Sequence, residues 1–282
     1  MTKTLILPVP EVVHAVYLVA APLWIPPEPR TGTLALVDVV DGREPPLPWL
    51  VEAGECPDCA RCGLEYDGFT VRRLRAAERH LRITVAGTAA WPPDHLTVAA
   101  SAGYDLAERT GGILVDGVTA DLEPWARPPD PFDDPWNFAA AEWLAVAALP
   151  DPGSHRSWTL RTRGLRIFGV PELRVRRVPA RLRHGWTEVL LGLAQRLLRD
   201  HWSALARVPS RAFREFPARV PVTAADLGSA LARCPHGSAR THLTLRLDPG
   251  PPDRPTYLTV TAPDTPRDSA HWRERVLTDL GL

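Results

Sequence analysis

Residues 157–178 read SWTLRTRGLRIFGVPELRVRRV, and this stretch decides the fold of the carboxy-terminal half of the chain. Apolar and polar residues alternate in SWTLRTR and again in ELRVRRV, with the period of two that is typical of half-buried strands. The intervening GLRIFGVP contains two glycines and a proline, which favour a turn. The sequence therefore predicts two adjacent strands joined by a compact loop.

The same alternation predicts where the charges of this hairpin lie. Arg161 and Arg163 alternate with apolar residues in the first strand, and Arg174 and Arg176 do so in the second. Residues of one parity point to one side of a sheet, so we expect these four arginines to share an exposed surface, called the arginine face. Like charges opposite one another in a sheet are unfavourable, so the arginine face requires counter-charge.

The clearest boundary in the chain is EPWARPPDPFDDPW, residues 123–136, in which five prolines fall among four acidic residues. Proline lacks a backbone donor and pushes the preceding residue to extended geometry, so helix and central strand are both excluded. We expect a linker or extended strap over residues 124–136. It divides the chain into an amino-terminal half, residues 1–123, and a carboxy-terminal half, residues 137–282.

Charge is separated along the sequence although the formal net charge is zero. Residues 156–183 contain nine arginines against one glutamate, and residues 105–142 contain nine acidic residues against two arginines. The strap, with Asp130, Asp133 and Asp134, is the first candidate for the counter-charge. An acidic protein partner or a small anionic ligand is the second. Nucleic acid is disfavoured because the overall charge is balanced and no recognised reading motif accompanies the arginines.

The amino-terminal half reads as a mixed sheet with helices on one side. Strands are predicted over residues 11–20, 31–40 and 82–87, where valine and leucine runs end at proline or glycine. A helix over 70–80 would place Leu74, Ala77 and Leu81 on one face. A second helix over 94–110 has Leu96, Ala99, Gly103 and Leu106 at helical spacing and ends at Gly111.

The carboxy-terminal half contains the strongest helical pattern, residues 184–205. Two apolar stripes run along it, so we expect it to be covered on two sides. A short helix capped by Thr223, two further strands and a closing helix follow. The predicted fold class is α+β, with two mixed-sheet halves whose helices pack on the sheets and which are joined by the Pro/Asp-rich strap.

One segment resembles an element of several bacterial families of unknown function, in which T-x-G-[LM]-x-x-F-G-x-P-E-[LI] joins two strands before a long helix. The matching residues are Thr162, Gly164, Leu165, Phe168, Gly169, Pro171, Glu172 and Leu173. A helix followed by GGILVD in the first half is also similar to those families. The resemblance implies a fold rather than an activity. Glu172 is interpreted as an ion-pair partner of nearby arginines, with a catalytic carboxylate as the alternative.

Three of the four cysteines stand close together in CPDCARC, as Cys56, Cys59 and Cys62. A structural zinc site uses four ligands, ordinarily in two separated pairs, and a second C-x-x-C is absent. C-x-x-C-x-x-C with a remote Cys-Pro is also a ligand pattern of iron–sulfur proteins. Zinc is favoured over an iron–sulfur cluster, and a loop with free thiols over both. A fourth ligand would have to come from elsewhere in the chain: Cys234, His236 or His80.

Hydrolase, metalloprotease and nucleotide-binding motifs are absent from the sequence. No apolar run approaches the length of a membrane span, and no signal-peptide pattern is present, so we expect a bacterial cytoplasmic protein. The sequence favours a non-catalytic binding or assembly module whose arginine face takes an acidic protein or an anionic ligand. The alternative is an enzyme for an anionic substrate at the interface of the halves, using Glu172 and His184.

Overall fold

The structure is a computed structural model, and it divides into two compact units. One unit comprises residues 12–133, and the other comprises residues 1–11 together with residues 134–282. Ten ranges of the chain are described: residues 3–22, 35–41, 68–77, 79–118, 138–154, 156–209, 212–234, 238–249, 256–262 and 271–282.

The unit formed by residues 12–133 contains a four-stranded sheet in the order β3-β4-β2-β5. Each pair of neighbouring strands is antiparallel, so the prediction of a mixed sheet in this half was wrong. Strands β2 and β3 follow each other in sequence but are not neighbours in the sheet, because β4 lies between them and pairs antiparallel with each. The elements are β2 Val13–Ala21, β3 Ala35–Asp41, α1 Gly68–Ala76, β4 Arg79–Gly87, α2 Asp94–Thr110 and β5 Ile113–Asp116.

Helix α2 packs on this sheet through the face that its sequence spacing predicts. Leu96, Ala99, Gly103 and Leu106 are all buried. A Cβ added at Gly103 would lie 2.6 Å from Leu114 Cδ1, so glycine is what lets the helix approach β5. The helix ends at Gly111, whose φ of 63° is left-handed. The helix predicted over residues 70–80 is shorter than expected, because Leu81 is a buried residue of β4.

The other unit contains a six-stranded mixed sheet in the order β10-β11-β12-β8-β7-β6, in which only β12 and β8 run parallel. A separate two-stranded ribbon pairs β1 with β9. The α+β class is therefore confirmed. The elements are β1 Thr4–Pro8, β6 Ala145–Pro150, β7 Ser157–Arg163, β8 Glu172–Pro179, α3 Arg183–Arg207, β9 Phe213–Pro217, β10 Arg219–Thr223, α4 Ala224–Ala230, β11 Arg240–Asp248, β12 Tyr257–Thr261 and α5 Trp272–Leu280.

The long helix α3 covers one side of the six-stranded sheet, and both of its predicted apolar stripes are buried. The sheet side chains that face it are almost fully buried, among them Leu160, Val175 and Leu258. Burial of this apolar layer stabilises the unit, by about 25 cal/mol for each Å² of apolar surface removed from water. The opposite side of the sheet is the outer side, and it carries the arginine face.

A buried basic pair lies near the carboxy-terminal end of α3. Arg214 of β9 is 5% exposed, with its guanidinium carbon 3.9 Å from the centroid of the Phe216 ring. Burial lowers the pKa of Arg214 to about 10, with Arg207 acting in the same direction and Asp200 against it. His201 is 1% exposed, and burial followed by the charge of Arg214 lowers its pKa to about 3.

Candidate anion-binding site

The predicted hairpin forms, and its register brings two arginines face to face. Strands β7 and β8 are antiparallel, and Arg161 lies directly opposite Arg174. Leu160 and Val175, on the other side of the same strands, are fully buried. The alternation of apolar and basic residues is therefore what presents the arginines on the outer side. Arg163 lies two residues further along β7, opposite Ala145 of the edge strand β6.

A bulge interrupts the register at the other end of the hairpin. Leu160 pairs with Val175 and Trp158 pairs with Val178, so Arg176 and Arg177 together oppose a single residue. Arg177 takes the left-handed conformation, with φ of 57°, as bulges often require. The Arg176 carbonyl accepts hydrogen bonds from Arg273 of α5, at 3.1 Å from Nε and 2.6 Å from Nη2. These bonds hold the bulged strand in place.

Counter-charge for two of the four arginines comes from Asp248, the last residue of β11. Arg174 Nη2 lies 2.5 Å from Asp248 Oδ2, and Arg176 Nη2 lies 3.2 Å from the same oxygen. Arg174 is thereby well enclosed, with 16% of its side chain exposed, whereas Arg176 is 53% exposed. The sources of counter-charge predicted from the sequence were the strap, an acidic protein partner or a small anionic ligand, and Asp248 was not among them.

Tyr257 lies between the two opposed arginines. The Arg174 guanidinium carbon is 4.3 Å from the Tyr257 ring centroid, and Arg161 Nη1 lies 3.5 Å from the Tyr257 hydroxyl. Arg174 also donates to Thr259 Oγ1 at 3.2 Å. Burial lowers the pKa of Arg174, and Arg176 adds to that effect while Asp248 opposes it. A cation over an aromatic ring is stabilised by the negative face of the ring.

Further basic residues extend the positive surface across the sheet. Arg246 is exposed and pairs with Thr259, which itself pairs with Arg174. Arg246, Thr259, Arg174 and Arg161 thus form one row across four strands, about 14 Å long at the usual strand spacing of about 4.8 Å. Near the first residue of β11, burial and the charges of Arg219 and Arg240 lower the pKa of His242.

The Glu172 carboxylate holds the hairpin loop together from inside. Its Oε2 accepts from the Thr162 hydroxyl at 2.7 Å and the Leu165 N–H at 3.4 Å, and its Oε1 accepts from the N–H groups of Gly164 at 3.0 Å and Arg166 at 3.3 Å. Burial raises the pKa of this carboxyl, while the hydrogen bonds and the Arg166 charge lower it. Four donors surrounding two oxygens suit the ionised form. The predicted ion pair with an arginine is present, with Arg166 Nε 3.8 Å from Oε1, but the hydrogen bonds from the Thr162 hydroxyl and the backbone N–H groups are shorter.

His184 and Glu172 are not brought together. Glu172 begins β8, and His184 follows the end of that strand, so eight residues of extended chain, about 25 Å, separate them. The His184 side chain is 90% exposed and lies 3.4 Å from Glu188 Oε1 in the next turn of α3. The two residues of the alternative catalytic site therefore cannot act on one bond in this arrangement.

The cysteine cluster and the strap fall outside the described residues, and so does His236. Cys234 is described, and it is an exposed free thiol in the turn after α4. His80, the other candidate ligand, is a buried residue of β4 whose pKa is lowered by burial. Within the described ranges, no three histidine, cysteine or acidic side chains are placed to hold a metal ion.

We expect the thermal stability of the purified chain to be unaffected by a metal chelator, and Cys234→Ser to be as stable as the wild type. Three thiolates on one short loop leave a metal site dependent on a distant fourth ligand. Elemental analysis should then give less than about a tenth of an equivalent of zinc or iron per chain, since a folding-coupled metal would be near stoichiometric. Near-stoichiometric metal, with destabilisation by chelation, would establish the zinc or iron–sulfur alternative.

Asp248 and Tyr257 are members of the candidate site that the sequence does not predict, although it carries a weak signal for Asp248. In THLTLRLD the same alternation that buries Leu243 and Leu245 places Arg246 and Asp248 on the outer side. What the sequence did not reveal is that β12 inserts between β11 and β8. That order lets Asp248 reach arginines more than 70 residues away in the chain.

No protein-family model, curated protein or solved structure matches this chain. The resemblance to bacterial families of unknown function therefore stays a prediction based on the 162–173 motif. None of the described helices combines the length and the apolarity needed to cross a bilayer.

Proposed function

We propose that the chain is a non-catalytic binding module whose arginine face takes an acidic segment of a partner protein. The observation that carries this proposal is the direct opposition of Arg161 and Arg174 across β7 and β8. Such a pair is unfavourable in an isolated sheet and becomes favourable when an anion lies between or above the two guanidiniums.

The charges around this pair leave a positive surplus. Among the described residues, one carboxylate, that of Asp248, forms ion pairs with Arg174 and Arg176, whereas Arg161 contacts the Tyr257 hydroxyl. Three positive charges against one negative charge leave a surplus of two. Arginine is suited to this role because its planar fork binds carboxylates with two parallel hydrogen bonds.

The arrangement of acidic and basic side chains supports binding rather than catalysis. Each Glu172 oxygen already accepts two hydrogen bonds, and its carboxylate is buried within the hairpin loop. His184 lies in the first turn of α3, after the end of β8, whereas Glu172 begins that strand. Among the described residues, these two catalytic candidates therefore do not form an acid–base pair around the arginines.

An acidic protein segment fits the face better than nucleic acid does. Binding to the nucleic-acid backbone derives its strength from many neutralised phosphates, which usually requires a basic domain. This chain has a formal net charge of zero. A local positive surface on a neutral protein suits a short anionic segment, with charge complementarity limiting the choice of partner.

The double variant Arg161→Gln, Arg246→Gln is expected to weaken the binding of a fluorescein-labelled hexaglutamate peptide by about tenfold or more. Each charge-assisted hydrogen bond contributes about 1.5–3 kcal/mol, and tenfold in affinity corresponds to about 1.4 kcal/mol. Fluorescence anisotropy at low ionic strength measures the affinity, and added salt should reduce it.

The control is Arg72→Gln, which makes one such Arg→Gln change, against two in the double variant, at an exposed residue of α1 in the other unit. It should bind the peptide as the wild type does. Equal binding by the double variant and the wild type, or equal weakening by Arg72→Gln, would reject the arginine face as the site. Tighter binding of a single-stranded oligonucleotide than of hexaglutamate would reject the acidic protein partner.

A further inference from the structure

The carboxylate of Asp248 occupies the position on Arg174 and Arg176 at which the carboxylate of a ligand would be expected to bind. Resting on the proposed function, we infer that a carboxylate of the acidic partner docks on Arg174 and Arg176 in place of Asp248. Asp248 is then a built-in competitor that restrains the affinity of the arginine face. The site consists of Arg174, Arg176, Tyr257 and Thr259.

Arg174 is preorganised to receive a carboxylate. Its Nη2 bonds to Thr259 Oγ1 at 3.2 Å, and its guanidinium lies over the Tyr257 ring at 4.3 Å. Both of these contacts come from β12, the strand that pairs with β8. A side chain already fixed in its bound geometry loses little conformational entropy on binding, and such residues dominate the affinity of an interface.

Asp248 can be exchanged because, among the residues that the structure describes, its partners bond to one oxygen only, and the side chain remains accessible. Both arginines bond to Oδ2, and 29% of the Asp248 side chain is exposed. Arg176, its second partner, is more than half exposed. Ion pairs with this much solvent access contribute little net free energy to stability. An incoming acidic segment whose carboxylates also reach Arg161 would have more arginine partners than Asp248 has.

The chemistry of the site favours a peptide carboxylate. The two arginines converge on one oxygen, which reproduces the charge-assisted hydrogen bonding of an acidic side chain to guanidinium groups. The Tyr257 hydroxyl, 3.5 Å from Arg161 Nη1, connects this site to the guanidinium of Arg161, the next arginine in the row. An acidic segment with at least two carboxylates would use Arg174 with Arg176 for one and Arg161 for another.

The test is the variant Asp248→Asn, assayed by anisotropy with labelled hexaglutamate. Removing the competing charge is expected to tighten binding by about fivefold or more, since the exchange no longer displaces an ion pair. Asp94→Asn, which removes the same charge from an exposed residue of α2, is the matched control and should bind as the wild type does. Arg176→Gln added to Asp248→Asn should reverse the gain.

The outcomes separate this inference from the proposed function. Unchanged affinity in Asp248→Asn, with binding still weakened by Arg161→Gln and Arg246→Gln, would overturn the competition and leave the arginine face as a site. Absence of hexaglutamate binding in every form would overturn both.

A measurement on the unaltered chain covers the case in which Asp248→Asn fails to fold. The ¹³C-carboxyl resonance of Asp248 should shift as hexaglutamate saturates the protein, because the carboxylate leaves two guanidinium groups for water. A resonance that stays in place at saturation would overturn the inference.

Discussion

Replacing Glu172 with glutamine is expected to lower the free energy of unfolding by about 3 kcal/mol, because an amide would replace one oxygen of a carboxylate surrounded by donors. Whichever oxygen is replaced, an N–H group would then face the Gly164 and Arg166 amides or the Thr162 and Leu165 donors. The midpoint of thermal unfolding should fall by about 6–12 °C. Circular dichroism during heating measures it.

The control for this effect is Glu142→Gln, which makes the same chemical change at an exposed residue of the same unit. It should shift the midpoint by no more than about 2 °C, the scale of ordinary surface substitutions. A Glu172→Gln protein as stable as the wild type would show that the carboxylate does not hold the loop together. It would also reopen the catalytic alternative for this residue.

The buried basic pair predicts a second large effect, on the pH dependence of stability. His201 has a folded-state pKa of about 3, against about 6.5 in an unfolded chain. Below pH 6.5 the unfolded chain binds a proton at His201, whereas the folded protein does not, so stability falls as pH falls from 6.5 toward 3. At about 1.4 kcal/mol per pH unit, the expected loss is about 2 kcal/mol at pH 5.

The surroundings of His201 explain why its imidazole stays unprotonated in the folded protein. In the described part of the chain neither ring nitrogen makes a well-formed hydrogen bond, although the Phe168 carbonyl is close enough to raise the pKa slightly. Arg214 adds an unfavourable positive charge. Protonation would therefore place two buried cations side by side, which is among the most costly arrangements in a protein interior.

His201→Leu should remove this pH dependence while leaving stability at pH 7.5 within about 1.5 kcal/mol of the wild type, since the neutral imidazole is replaced by an apolar side chain of similar size. Urea unfolding at pH 7.5, 6.0 and 5.0 measures both quantities. His14→Leu, at an exposed residue of β2, should retain the full acid sensitivity. Equal loss of stability on acidification in wild type and His201→Leu would exclude His201 as its source.

Local periodicity was sufficient to predict the elements of the candidate site. The hairpin and helix α3 form as their alternation and two apolar stripes indicate, because each pattern is set by neighbours a few residues away. The capping box at Thr223 likewise needs only four consecutive residues. Features of this kind depend on residues close to one another in the sequence, so they can be predicted from it.

The parts that could not be predicted depend on contacts between distant segments. Asp248 meets Arg174 only because β12 pairs in parallel with β8, and no local pattern specifies that order. The bulge at Arg177 places a non-glycine residue in a left-handed conformation, which the sequence does not indicate. Strands β1 and β9 were missed because each has five residues, ends at a proline and pairs with a partner about 200 residues away.

The pairing of β1 with β9 has a consequence for synthesis on the ribosome. Residues 4–8 leave the exit tunnel about 200 residues before their partner strand, which ends at Pro217. At a synthesis rate of 5–20 residues per second, residues 213–217 are added about 10–40 s after residues 4–8. Meanwhile residues 12–133, a compact unit with its own sheet, are already complete. A nascent chain thus leaves Leu5 and Leu7, which are buried in the final fold, without their partner strand until residues 213–217 have emerged.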